Sequence, residues 1–227
     1  LQLLREALRV LFNSPLFYGL SDIDKDKLIP LLKPVLMNYE EDSVIIEEGD
    51  FTDRIGFVIS GKVAARKMAS GGRIHILAVH EAGDNFGFDA VFSTYKTSPL
   101  TFTAETDCIA LFISAEPFLN GNIDASIRLM SNTNRILADK CVRLLYKTDI
   151  LTKQSMRERI MTYFNIMITK RGSNSFALNM TREQFAQYLG VNRSALCREL
   201  SRMKDEGLIE LKSGGDITVN IKKQPKT

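Results

Sequence analysis

The sequence predicts an α+β chain made of a strand-built barrel or sandwich, one long helix, and a compact helical module closed by a hairpin. Three observations carry this. Between about residues 36 and 113, short β-branched or alternating runs are punctuated by Gly49, Gly61, Gly71, Gly72, Gly83 and Gly87. From Ile123 to Leu151 a helical pattern runs without Gly or Pro. From residue 152 the chain turns basic, with helix caps and a glycine turn at regular places. Strands at near-regular spacing with glycine turns favour a sandwich or barrel.

Taken in order, residues 1–35 read as helical. Ser21 is placed to cap a helix, with acidic residues in the following turn and Leu28, Leu31 and Leu32 on one face, and Pro34 closes it. The strand candidates are "SVIIEEG", "RIGFVISG", "KVAARKM", "RIHILAVH" and "CIALFI". In the long helix, Leu137, Cys141, Leu144, Thr148 and Leu151 recur at spacings of four and three, with Met130 one heptad before Leu137. Such a narrow apolar stripe predicts a parallel dimer seam through Met130, Leu137, Cys141, Leu144 and Leu151. "SMRERIMTYFNIMITKRG" is an amphipathic helix with Ile160, Tyr163, Phe164 and Met167 inward and Gly172 as its stop, and "SFALN" is a short strand. The domain division that follows is 1–122, 123–151 and 152–227.

Composition narrows the class. Hydrophobic residues are 44% of the chain, enough for sizeable cores, and no apolar run approaches the ~18 residues of a membrane span. The N-terminal "LQLLREALRVLF" carries charges inside its amphipathic pattern and makes a poor signal peptide. Cys108, Cys141 and Cys197 are isolated, odd in number and without CxxC spacing, which favours a reducing, cytoplasmic setting and no metal knuckle. The net charge of +3 conceals an asymmetry: residues 1–151 carry −4, residues 152–227 carry +7. A basic terminal module suits a polyanionic partner.

The stretch "MTREQFAQYLGVNRSALCRELSRMKDEGLIEL" says which. Thr181 caps a first helix and Gln184 completes a capping box. Phe185, Ala186 and Leu189 face inward, Gly190 turns the chain, and Asn192 caps a second helix buried through Leu196, Leu200 and Met203. That is a helix-turn-helix. Arg193, Ser194, Ala195 and Arg198 stay outward near the start of the second helix, with Arg202 a turn further on. A recognition helix presents those positions to base edges in the major groove, where arginine grips guanine with two hydrogen bonds. Thr181, Arg182, Gln184 and Asn192, at the helix N-termini, are placed for phosphates. "LIELKSGGDITVNIKK" forms a hairpin turning at Ser213, Gly214, Gly215 and Asp216, a wing. Double-stranded DNA is the expected partner.

On "IIEEGD", "FVISGKV", "EAGDNFG", the long helix and "TREQFAQYLGVNRSALCREL", in that order, the chain resembles the cyclic-AMP receptor protein and fumarate–nitrate regulator family along essentially its whole length. The resemblance implies an N-terminal double-stranded β-helix (a cyclic-nucleotide-binding-like β-roll), a dimerisation helix and a C-terminal winged helix-turn-helix. It further implies a homodimer on palindromic DNA, with RNA polymerase as a partner if the protein activates. Signals would pass from the roll through Leu137, Cys141 and Leu144 to the DNA domains. The family's recognition helix carries a pattern like R-E-x-x-x-R. Arg193 and Arg198 match its ends, but Ser194 stands at the glutamate and cannot accept from cytosine as a carboxylate does, so a different operator is expected.

The resemblance fails at the effector site. Cyclic-AMP binders in the family look like F-G-E-L followed by an R-S pair, the acid fixing the ribose and the arginine the phosphate. Here Phe88 stands at the acid, Ser98 at the arginine, and Pro99 follows. A buried phosphate without its cation is costly, so cyclic AMP is not expected. Phe86, Gly87, Phe88, Asp89, Lys96, Ser98, Pro99, Thr101 and Thr103 remain as a candidate pocket, with Phe92 and Phe102 nearby, for a small apolar effector if one exists. An iron–sulfur cluster is excluded on ligand count, because the first cysteine is Cys108. Haem is not expected, since His75 and His80 lie five apart on one strand pattern and project to opposite faces. A redox or haem sensor of the same family, or a regulatory subunit that binds no DNA, are the alternatives. An enzyme is not expected: two histidines starve a metal-dependent barrel of ligands, and no P-loop or GxSxG elbow is present.

Overall fold

The computed structural model describes residues 2–68, 72, 74–120, 124–211 and 216–220. They form two compact units, Leu1–Ala138 and Asp139–Thr227.

The first unit opens with α1 (Gln2–Phe12), a short 3-10 turn (Pro15–Phe17) and α2 (Asp22–Leu32). Ser21 caps α2, as the sequence predicts, and Asp24 completes a capping box with it. Leu28 and Leu32 are buried, whereas Leu31 is 42% exposed and belongs to the outer face. The helix stops one residue before the predicted proline, at Lys33, which takes a left-handed conformation (φ 45°).

Eight strands follow among the described residues. β1 (Val35–Tyr39), β8 (Cys108–Ser114), β3 (Arg54–Ser60) and β6 (Asn85–Phe86) form one antiparallel sheet in the order β1-β8-β3-β6. β2 (Val44–Ile46), β7 (Thr101–Ala104), β4 (Val63–Met68) and β5 (Ile74–His80) form the second, in the order β2-β7-β4-β5. Alternation along β3 and β8 sends side chains to two separate cores. Val58, Ala110 and Phe112 join Ile46, Val63, Ala65, Phe86 and Phe102 in the roll interior, to which both sheets contribute. Ile55, Phe57, Leu111 and Ile113 face the other way, onto α1, α2, α3 (Phe88–Phe92), α4 (Glu116–Leu119) and the first half of α5 (Asp124–Thr152).

Phe86 reaches the interior only because Gly56, its cross-strand partner, has no side chain: a Cβ there would lie 2.3 Å from Phe86 Cζ. The rings of Phe102 and Phe112 pack on Phe86 with centroids 5.4 and 5.7 Å away, and His80 lies 6.0 Å from Phe102.

The division between the units falls inside α5 rather than at its ends. Ala125 and Leu129 are buried in the first unit, and Asn132 Nδ2 donates to the carbonyls of Leu16 and Tyr18, both at 2.9 Å. Ile150, near the other end, is buried in the core of the second unit. The helix therefore contributes to both cores.

The predicted seam residues differ in burial. Leu137 packs against the first unit's helical core and Met130 is half-buried, whereas Leu151 is exposed. Cys141 and Leu144 are exposed as expected, but the uncovered stripe also holds Ile127, Val142 and Leu145, the last 68% exposed. Positions 127, 134, 138, 141, 145 and 148 follow heptad spacing along one face. A single helix that must cover a sheet on one side turns its free side by part of a turn from where the strongest leucine pattern points.

The second unit continues with α6 (Met156–Arg171), β9 (Ser175–Ala177), α7 (Arg182–Leu189), α8 (Arg193–Asp205), β10 (Ile209–Leu211) and β11 (Asp216–Val219). Its three-stranded sheet runs β10-β11-β9, with Leu211 opposite Ile217 and Phe176 opposite Ile217 on the other side. Phe164, Phe176, Phe185, Leu196 and Met203 fill its core. Ser213, Gly214 and Gly215, the predicted wing tip, and Ile123 lie outside the described residues. No helix among the described residues is long and apolar enough to cross a membrane.

Candidate nucleic-acid interface

Three local devices set the angle of α8. Thr181 Oγ1 accepts from the Gln184 amide at 3.1 Å, and Gln184 Oε1 accepts from the Thr181 amide at 2.8 Å, closing the capping box of α7. Gly190 takes φ 65° and donates its N–H to α7 carbonyls, a conformation that costs glycine little. Asn192 Oδ1 then accepts from both the amide and the hydroxyl of Ser194, at 2.9 and 2.6 Å. Phe185, Ala186 and Leu189 of α7 and Leu196, Leu200 and Met203 of α8 are all buried, as predicted.

The outer face of α8 is accordingly free. Arg193 and Arg202 have side chains 65% and 71% exposed, Arg198 and Ser194 are exposed, and Ala195 is half-buried. Arg193 Nε stands 4.0 Å from Glu183 of α7. Arg182 is half-buried at the start of α7, and its Nη1 is enclosed without a hydrogen-bond partner among the described residues. One turn and two turns on from Arg193 come Cys197 and Ser201, on the same side of the helix. The sequence reading passed over both, although the 3.6-residue period counted from Arg193 was enough to find them.

A second group was also invisible in the sequence. Arg157, in the first turn of α6, donates from Nε to Glu199 of α8 at 2.5 Å, and from Nη1 and Nη2 to Glu206 at 2.6 and 2.8 Å. The Arg157 hydrogen bonds hold the Glu206 carboxyl below its ordinary range. Ser155, Met156, Arg157, Ala195, Arg198, Glu199 and Arg202 line a cleft of about 390 Å³. Behind α7, Lys147 of α5 donates to the Tyr188 carbonyl and lies over the Tyr188 ring, 4.0 Å from its centroid. Burial pulls its ammonium below the usual lysine range.

The residues of the candidate effector pocket do not come together. Phe86 points into the roll interior, while Phe88 is buried in the helical core on the opposite side of the sheet. Gly87, at φ 70°, reverses the chain between them. Asp89 sits in the first turn of α3. Lys96 (φ 50°) lines a cleft with Lys33, Asp53 and Arg54. Ser98 is 2% exposed and its Oγ donates to the Leu100 carbonyl at 2.6 Å. The Pro99 carbonyl accepts from Lys67, whose ammonium also pairs with Glu48 at 2.6 Å. Thr101 Oγ1 accepts from the Glu48 amide, and Thr103 Oγ1 is buried without a partner among the described residues. Of the nearby phenylalanines, Phe102 lines the interior and Phe92 the helical core. His80 packs among the interior rings and His75 is exposed. Burial and the neighbouring Asp107 push the Cys108 thiol up; Cys141 is exposed and Cys197 half-exposed. Among the described residues no three His, Cys, Asp or Glu side chains gather as a metal site.

Comparison with known proteins covers both units. Residues 36–121 match the cyclic nucleotide-binding domain, and residues 158–223 match the Crp-like helix-turn-helix domain. Electron transport regulator A of Shewanella oneidensis is 26% identical over 217 residues, 91% of this chain and 82% of that protein. The cyclic AMP receptor protein of Thermus thermophilus is 26% identical over 207 residues, 89% of this chain and 91% of that one. In fold, a CooA mutant from Carboxydothermus hydrogenoformans is similar at a TM-score of 0.57 and 20% identity, covering 95% of this chain and 93% of its own.

Proposed function

The chain belongs to the Crp/Fnr family of DNA-binding transcription regulators, and on that premise we propose that it acts as a homodimer that reads a palindromic operator under a signal other than cyclic AMP, or under none. The observation that carries the reading is the free face of α8, where Arg193, Ser194, Arg198 and Arg202 stand exposed beyond a capped, glycine-turned helix pair. Arginines at that face suit guanine edges, and the neutral Ser194 alters the base read beside them. Two such helices related by a twofold would address half-sites ~34 Å apart. The exposed stripe of α5, from Ile127 to Leu145, is the surface that would join the protomers. Selection from a random duplex pool tests the reading: the full chain should enrich a palindrome, and an enriched site without twofold symmetry would count against the dimer.

The signal is argued from the roll. At the place of the family's phosphate-binding arginine, Ser98 is buried and its hydroxyl is already committed to a backbone carbonyl. Of the nearby cations of the second sheet, Lys67 pairs with Glu48, and Arg66 pairs with Glu105 at 2.7 Å while its Nε is buried without a partner among the described residues. The interior volume is taken by the rings of Phe86, Phe102 and Phe112. An effector would have to displace those rings, which favours a small apolar molecule or none. A buried charge left without its partner costs roughly 3–5 kcal/mol, enough to move a micromolar constant to about millimolar. Titration calorimetry with cyclic AMP and cyclic GMP should therefore give constants near millimolar or weaker. A micromolar constant for either would mean that a cation reaches the phosphate after all.

A further inference from the structure

The recognition helix carries acids as well as arginines, and something must keep the two apart. Glu199 lies between Arg198 and Arg202 in sequence, and its side chain is only 15% exposed. Its two oxygens face two arginines. Oε1 accepts from Arg157 at 2.5 Å, while Oε2 stands 3.8 Å from Arg202 Nη1. Glu206, at the end of the same helix, is held by both terminal nitrogens of Arg157 in the planar, two-pronged geometry that only arginine provides. One guanidinium thus occupies two carboxylates of α8 with all three of its nitrogens. The neighbouring Arg159 binds carbonyls instead, those of Lys153 and Leu189, at 3.1 Å each. Arg157 is thus spent on α8's acids.

We infer that Arg157 is a positioning residue for DNA binding: it sequesters Glu199 and Glu206 so that Arg198 and Arg202 remain available to DNA. The inference rests on the DNA-binding reading of α8. Without Arg157, Glu199 is free to take Arg202 from 3.8 Å into a full ion pair. It would also place an uncompensated negative charge beside the cleft that Arg198 and Arg202 line. Both effects remove a cation from the DNA surface, and a cation lost there shows in the salt dependence of binding, by about one unit of slope for each charge.

The test uses the full chain and a duplex enriched from a random pool by the wild-type protein, with affinity followed by fluorescence anisotropy from roughly 50 to 200 mM salt. Arg157→Ala should bind about tenfold or more weakly at the low end, with a slope shallower by about one unit per protomer. Adding Glu199→Gln and Glu206→Gln to that variant should bring the affinity back to within about threefold and restore the slope, since neutral amides no longer compete for arginine. Loss of helix packing would not be rescued in this way. Should Arg157→Ala fail to fold, the Glu199→Gln/Glu206→Gln protein with Arg157 intact is the second reading. It should bind at least as tightly as wild type, and a fall in its affinity overturns the inference. So does an Arg157→Ala protein that binds as wild type does, or one that the two glutamine substitutions leave unrescued. A wild-type chain that enriches no duplex overturns the DNA-binding reading itself.

Discussion

Lysine at both Cys141 and Leu145 should leave a folded monomer that no longer holds a palindrome. Both side chains are exposed in the protomer, so the substitutions leave its cores intact. In a parallel pair of α5 helices they would instead set like charges against each other across the twofold, out of water, where uncompensated charge is strongly destabilising. Losing the dimer turns one bivalent encounter into two independent ones, which weakens palindrome binding by about 10²–10⁴-fold. Sedimentation velocity gives the mass and anisotropy the affinity. A dimer that survives both substitutions places the interface away from this face. Lysine at Leu137 is a poorer probe, because that side chain packs against the first unit's core and its loss would confound unfolding with dissociation.

Alanine at Arg193 or Arg198 should cost ~1–3 kcal/mol for each half-site, the range of one bidentate base contact. A symmetric dimer loses the contact twice, so a single substitution weakens the palindrome by about 2–6 kcal/mol, from tens-fold to more than ten-thousand-fold. The two variants should relax different base positions, since Arg193 opens α8 and Arg198 follows more than a turn later. Enrichment of each variant against a random pool reads this directly. Unchanged affinity and unchanged base preference in both would remove α8 from the groove. Neither side chain supports a core, so thermal stability should stay within the small range of surface substitutions.

What was legible in the sequence was what is decided locally. Ser21 and Thr181 settle their helix starts within four residues: both cap as read, and the Thr181–Gln184 box closes as read. Gly190 between two buried triplets likewise fixes a turn without help from elsewhere. The strands that were passed over, β1, β6 and β7, depend on partners far along the chain; Asn85–Phe86 is a strand only because Gly56 and Phe57 pair with it. Where the candidate pocket residues lie was illegible for a similar reason. Phe86 and Phe88 are two residues apart, a spacing that in a strand places both on one face, but Gly87 breaks the strand and sends them to opposite cores. The free side of α5 was legible in part: Cys141 and Leu144 are exposed, but the side taken by its own unit could not be known without the sheet. Arg157 reads as one more charge on an amphipathic helix until α6 and α8 are laid side by side.

The close approach of Phe86 to Gly56 also constrains the paths by which such a roll could change over generations. Any side chain at position 56 collides with the ring, so the ring must shrink first. That first step empties a packed interior, at ~3–5 kcal/mol for a phenylalanine cut back to alanine, a large share of the ~5–15 kcal/mol that holds a typical domain together. The two positions are expected to be inherited as a couple, and an ancestral or descendant roll that differs at one should differ at the other. Reopening this interior to a bulky ligand would therefore require passing through a fragile ancestor, unless a stabilising change elsewhere arrived beforehand.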